Sequence, residues 1–140
     1  EAGLRRAYRR GRRGYQAVLE SASTESLHEW RKRVKDLWYH QTLLERSWPE
    51  LMDPLSDQAH HLSDLLGLDH DLAVLHDWAQ AHPAAAGGST GLEVFNAAAE
   101  ERRDELQREA IALGGRLYAE RPRAYARRLR TYWDAWRGGA

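Results

Sequence analysis

Cysteine is absent from this chain of 140 residues, so it offers neither a disulfide nor a thiolate metal site, and thiols say nothing about its compartment. No run of about 18 apolar residues occurs, which excludes a membrane-spanning helix by hydropathy. No secretory signal is visible, and a cytoplasmic setting is expected. The chain begins at Glu1 rather than Met and reads as a piece of a longer protein. No stretch alternates apolar and polar residues as a half-buried strand would. There is no H-E-x-x-H pattern, no serine in a nucleophile elbow and no glycine-rich loop after a strand. Lysine is scarce: 19 arginines stand against 2 lysines. Guanidinium forks match phosphate oxygens, so the imbalance points toward anions.

What is present is helical periodicity. In residues 4–19, Leu4, Ala7, Tyr8, Gly11, Tyr15 and Val18 fall on one face. Gly11 and Gly14 lower helix propensity there but permit close helix approach. The stretch SASTES interrupts the pattern. Thr24 or Ser26 is placed to cap a second helix, and Ser26 with Glu29 fits a capping box. That helix is expected to run to about residue 47, before Pro49. Asp53 followed by Pro54 reads as the next cap and first helical position. A third helix would reach Leu66, break or kink at Gly67, and continue to Pro83. Residues 83–91 form a flexible loop, and residues 92–120 a long helix disturbed at Gly114 and Gly115. Pro122 opens a last helix ending at Gly138. Short loops between long helices imply an all-α fold: one antiparallel bundle of five to six helices over residues 1–140.

A net charge of zero conceals segregation. Residues 1–40 carry +5, residues 41–110 carry −10 and residues 111–140 carry +5. A protein that coats nucleic acid is usually basic throughout. This chain reads instead as an acidic body with localised basic surfaces.

The stretch LHEWRKRVKDLWYH, residues 27–40, concentrates the basic character. On a helix, Leu27, Trp30, Val34, Leu37, Trp38, Gln41 and Leu44 gather on one side. His28, Arg31, Lys32, Lys35 and Tyr39 gather on the other within an arc of roughly 100°. No acid lies inside that arc, although Glu25 and Glu29 can pair at its margins. Stacked like charges cost a few tenths of a kcal/mol per pair in an isolated helix, so acids of another helix or an anionic ligand should offset them. Arg33 and Asp36 project elsewhere, and Arg33 is expected to meet an acid of the middle segment or water. None of the stripe's side chains belongs to the apolar face, so the fold should survive their removal.

The first helix is more basic still. Arg5, Arg9 and Arg12 form one ridge, and Arg6, Arg10 and Arg13 another, with the apolar stripe between them. Which ridge joins the second helix's cations is open. Arg116, Arg123, Arg127, Arg128 and Arg130 add a third basic region. Brought together, these surfaces would produce a strong anion-attracting field.

These residues resemble the CHAD family, the conserved histidine α-helical domains. The resemblance rests first on His28, Arg31, Lys32, Lys35 and Tyr39 in the order of the family's signature helix. The family often has an arginine just before the tyrosine, where this chain has Trp38. LSDLLGLDHDLAVL, residues 62–75, is similar to a second marker, and LGGRLYAERPRAYARRL, residues 113–129, to the C-terminal portion. The resemblance implies two helical bundles related by an approximate twofold axis, with basic residues lining a groove or cavity that binds inorganic polyphosphate. The chain is about half the usual length and looks like the C-terminal bundle, so the partner is either a missing N-terminal bundle or a second copy in a homodimer. The resemblance implies no catalytic residues and no cofactor. Its members are often fused to triphosphate-processing domains.

The expected polyphosphate-binding set is His28, Arg31, Lys32, Lys35 and Tyr39 with Arg5, Arg9, Arg12, Arg13, Arg116 and Arg127. A ligand with about one charge per phosphate and no base to read requires rows of cations and little else. His28 can add a charged hydrogen bond when protonated, and Tyr39 can donate from its hydroxyl.

Other clusters read as structural. His60, His61, His70 and His76 are expected to be solvated or hydrogen-bonded, without a metal. Asp69 and Asp71 are expected to cap a helix or pair with a basic one rather than act as a general acid and base. The six tryptophans are expected to be mainly core or interface anchors. Three functions are compatible with the residues: a non-catalytic polyphosphate-binding module, a nucleic-acid or ribosome-associated module, and the regulatory half of a triphosphate-processing enzyme. The last needs acidic metal-binding residues on a separate domain.

Overall fold

The structure, a computed structural model, describes residues 2–139; Glu1 and Ala140 lie outside the described residues. Five α-helices follow one another, and there is no strand among the described residues. They are α1 (Ala2–Glu20), α2 (Thr24–Thr42), α3 (Pro49–Ala81), α4 (Gly88–Leu117) and α5 (Pro122–Gly138), with a short 3-10 turn at Glu45–Ser47. Chain neighbours pack side by side from α1 to α4, and α5 crosses back onto α1.

The start of α2 lies upstream of the expected position. Ser23 is the N-cap, and its hydroxyl accepts from the Ser26 backbone N–H at 3.0 Å. The Ser26 hydroxyl accepts in return from the Ser23 N–H at 2.9 Å. The capping box is therefore Ser23 with Ser26, and Glu29 is left free of it. At the other end α2 stops at Thr42, and the chain tightens into the 3-10 turn before Pro49 takes the first helical position of α3. Pro54 lies inside α3 rather than opening it. Packing explains this choice. Met52 is fully buried and starts a stripe that continues through Ser56, Ala59 and Leu62, so the helix must already be wound at residue 52.

The glycines expected to disturb α3 and α4 do not. Both helices run through them, because each glycine makes room for a side chain of another helix. A Cβ on Gly67 would sit 3.1 Å from Nε of Arg31, and one on Gly114 would sit 2.6 Å from Cζ2 of Trp30. Gly14 of α1 faces the same indole, where a Cβ would lie 2.9 Å from Cδ1. Trp30 is therefore clasped between α1 and α4, fully buried. The core around it holds Tyr8, Val34, Leu37, Leu66, Leu106, Ala110 and Tyr118. Of the other tryptophans, Trp38 and Trp133 are half-buried, and Trp48, Trp78 and Trp136 are exposed.

One acid of the charged middle segment is buried between helices. Asp69, 1% exposed, accepts from Nε of Arg103 at 3.0 Å and from Nε2 of Gln107 at 2.8 Å. It pairs with a basic residue, as expected, and caps nothing because α3 is continuous there. Helices α3 and α4 outreach α1 and α2. At 1.5 Å per residue, the 33 residues of α3 span about 50 Å and the 19 of α2 about 28 Å. The turn between α3 and α4 occupies residues 83–87, and α4 is already helical at Gly88.

Gly114→Ala should destabilise the protein by about 1–3 kcal/mol through overpacking against Trp30, even though alanine is the better helix former. Gly138→Ala, which meets open space, should leave the melting midpoint unchanged or slightly raised. Thermal unfolding followed by circular dichroism measures both. A Gly114→Ala protein melting at or above the parent would contradict the clasp.

Candidate functional site

Helix α2 is held from its inner side. Leu27, Trp30, Val34, Leu37 and Gln41 are buried, and Nε2 of Gln41 donates to the Tyr125 hydroxyl at 2.8 Å. This anchoring turns Lys32 and Tyr39 outward and leaves His28 and Lys35 half-buried. The five signature residues then have different surroundings.

Arg31 is half-buried between α2 and α3. Its Nε donates to the Ser63 carbonyl at 3.3 Å, and the guanidinium lies over Gly67. Arg31 therefore takes part in the α2–α3 contact, a packing role that the sequence did not assign to the stripe. Lys32 forms an ion pair with Glu29 at the margin of the stripe. The hydrogen bond from Lys32 holds the Glu29 carboxyl below the usual carboxylate range. His28 lies with its ring centroid 4.6 Å from that of His70 on α3, and Nδ1 of each ring is buried without a hydrogen-bond partner. Lys35 is half-buried and forms no ion pair among the described residues. Arg33 bonds Asp36 of its own helix at 2.8 Å, not an acid of the middle segment.

Tyr39 and Trp38 depart most from expectation. Trp38 leaves the apolar face and lies flat on His60 of α3, with centroids 4.2 Å apart and planes 8° apart. Tyr39 stacks on Trp38 at 4.9 Å and 25°. His60 is 3.7 Å from Asp64. The three rings form a column at the outer edge of the α2–α3 contact.

The arginines of α1 fan around its solvent face. Arg10 and Arg13 line a groove of about 410 Å3 with Gly14, Ala17, Glu29 and Arg33, so their ridge borders α2. This groove flanks α2 on the side away from α3. Arg12 is directed to the opposite flank, near the Tyr8 hydroxyl, which donates to the Glu120 carbonyl at 3.3 Å. Burial pushes the Tyr8 hydroxyl pKa up to about 12; Glu120 adds to the rise, and Arg12 and Arg128 oppose it. Arg5 is half-buried and Arg9 exposed. Among the described residues, none of the six α1 arginines pairs with a carboxylate. Arg116 shares a hollow with Glu120 and Arg128 at the α4–α5 corner, and Arg127 is exposed on α5. The expected residues thus lie on two flanks of α1: one runs onto α2, and the other meets the α4–α5 corner, where Arg12 and Arg128 share the neighbourhood of the Tyr8 hydroxyl. Arg10 and the His60 and His70 rings join the first of these. Nothing local in the sequence marks the two histidines, because α3 brings them across from far along the chain.

Two of the remaining histidines meet carboxylates. His61 is 3.1 Å from Glu109, and His76 is 3.5 Å from Asp77. Among the described residues, no group of three His, Cys, Asp or Glu side chains could hold a metal ion. No helix among the described residues is long and apolar enough to cross a membrane.

Arg31→Ala should lower stability by about 1–3 kcal/mol, because it removes the guanidinium's additional hydrogen bond to the Ser63 carbonyl and leaves a void over Gly67. Chemical denaturation reads this directly. An unchanged midpoint would mean that the guanidinium is not part of the α2–α3 contact.

No curated protein and no solved structure matches the chain. The CHAD domain matches residues 1–80 of 140, the segment that contains α1, α2 and nearly all of α3. The third sequence marker, residues 113–129, lies outside that match. With its signature helix inside the matched segment and an all-helical bundle around it, the chain belongs to the CHAD family.

Proposed function

We propose that this chain binds inorganic polyphosphate, without catalysis, on the surface formed by α1 and the outer face of α2. The observation that carries this reading is the set of six α1 arginines without carboxylate partners among the described residues, in a protein whose net charge is zero. Most of the chain's acids lie on α3 and α4, and Glu29, which lines the groove beside Arg10 and Arg13, is paired with Lys32. Keeping unpaired like charges together costs free energy, and a polyanion recovers it through charge-assisted hydrogen bonds and counterion release. Lys35, without an ion pair among the described residues, and Lys32 with His28 extend the surface onto α2. Arg116 and Arg127 lie apart and act as long-range field rather than direct contacts. Membership of the CHAD family supports a phosphate-related ligand.

Position should outweigh charge number. Lys35→Ala should weaken polyphosphate binding by roughly 1–3 kcal/mol. Arg33→Ala removes the same charge but should cost clearly less, because Asp36 already neutralises it. Matched titrations at one salt concentration test this, and equal losses would reject it. Long-chain polyphosphate should also displace duplex DNA at equal charge concentration; the reverse order would favour a nucleic-acid module.

We infer further that a second copy of the chain covers the projecting end of the α3–α4 hairpin. Val74, Leu75 and Trp78 are about half exposed on α3, and Val94 is exposed on α4. Val74 and Trp78 continue the face of α3 that α2 covers at Ser63 and Gly67, beyond the point where α2 begins. Light scattering at tens of micromolar should report a dimer, and Trp78→Glu should yield a monomer. A parent protein that is already monomeric would remove this assembly.

A further inference from the structure

We propose that the outer face of Tyr39 is a nucleobase platform, so that the preferred ligand of the α2 stripe is a nucleoside oligophosphate rather than a bare phosphate chain. The inference rests on the reading of α2 as a phosphate-binding surface and adds to it a base subsite at one end.

The argument starts from the ring column. Tyr39 is 53% exposed: one face of its ring is covered by Trp38 and the other is open. Trp38 is in turn backed by His60 at 4.2 Å and 8°, and His60 stands beside Asp64. A lone exposed tyrosine on a helix samples several rotamers and must be ordered before a ligand can stack on it. Here the ring is ordered in advance by two further rings, so stacking carries less of that entropy cost. Aromatic faces of this kind accept any base, because every base has a π-face.

What lies beside the platform selects the ligand. Lys35 is one turn before Tyr39 on the same face of α2, Lys32 is about two turns before it, and His28 is three turns before it. The distance from Tyr39 to His28 along the helix is about 16 Å. The order is one aromatic platform followed by a run of cationic or polar positions. A single-stranded nucleic acid alternates base and phosphate, and its sites repeat aromatic and basic groups together. A nucleoside oligophosphate has one base followed by consecutive phosphates, which is the order found here. The hydroxyl of Tyr39 is not required by this arrangement; its ring is. A second exposed stack, Trp78 on His82 at 4.6 Å and 18°, has no such neighbours. Its flanking charge is acidic, Asp77 and Asp71, so it serves as an internal comparison.

Calorimetric titration with adenosine 5′-tetraphosphate and with inorganic tetraphosphate tests the proposal. Charge alone favours the inorganic chain, which has two free ends. Base stacking should reverse that order and make the nucleoside form roughly tenfold tighter. Tyr39→Ala should abolish the advantage, so that the nucleoside form no longer binds more tightly than inorganic tetraphosphate to the same variant. Tyr39→Phe should keep it, and Trp78→Ala should not alter it. Circular dichroism of each variant checks the helix content. Equal affinities for the two ligands in the parent protein would overturn the base platform while leaving phosphate binding by α2 intact. A Tyr39→Phe protein that behaves like Tyr39→Ala would overturn stacking in favour of the hydroxyl. An oligoadenylate of equal charge that outcompetes adenosine tetraphosphate would overturn the one-base arrangement. Binding of neither tetraphosphate would overturn both this inference and the phosphate-binding reading beneath it.

Discussion

The indole of Trp30 is the constraint on which the other contacts depend. It comes from α2, yet the space it occupies is cut into α1 at Gly14 and into α4 at Gly114. One side chain thereby fixes the distances of three helices. Tyr15 and Tyr118 close the slot with ring centroids 5.5 Å and 6.5 Å from the indole. With Trp30 pinned, rotation of α2 about its own axis is prevented, and the side of the helix that carries Lys32, Lys35 and Tyr39 must face outward. The functional surface is thus a consequence of core geometry. Buried aromatic area supplies the stability, and the glycines supply the fit that makes the arrangement unique.

Charge is distributed with the same economy of contacts. A few acids of the middle segment are used within the α3–α4 hairpin, where Asp69 binds Arg103 and Gln107, and His61 meets Glu109. Most of the others have no cation to meet there, since residues 41–110 hold fourteen acids and four cations. Among the described residues, no ion pair joins these acids to the arginines of α1. A zero net charge and a strongly basic surface coexist in this way. Salt will weaken whatever that surface attracts, since exposed charges are screened over about 10 Å at 0.1 M.

Much of the helical pattern was legible in the sequence. The inward face of α2, the entry of Pro122 into α5 and the absence of strands follow from spacing and from proline chemistry. The errors have a common cause. Gly67, Gly114 and Gly115 read as breaks because glycine lowers helix propensity locally, while their actual role is to admit Arg31, Trp30 and Tyr15 from other helices. Ser23 is the cap where Thr24 or Ser26 was expected, a shift of one to three residues that local patterns resolve poorly. Trp38 was placed with the core by its angle, but it lies at the rim of the apolar arc, where His60 offered a flat ring.

By itself the sequence determined that the chain is helical, that its cations are mostly arginines gathered on α1, α2 and α5, and that α2 has an apolar and a basic side. These properties depend on residues within a few turns of one another. Only the tertiary structure decided which cations remain unpaired, which arginine serves the fold and which rings stack. Arg31 reaches Ser63 across 32 residues, Trp38 meets His60, and the ridge of Arg10 and Arg13 comes to border α2. Such contacts depend on how helices distant in sequence are rotated and spaced, and that is set by the packing around Trp30.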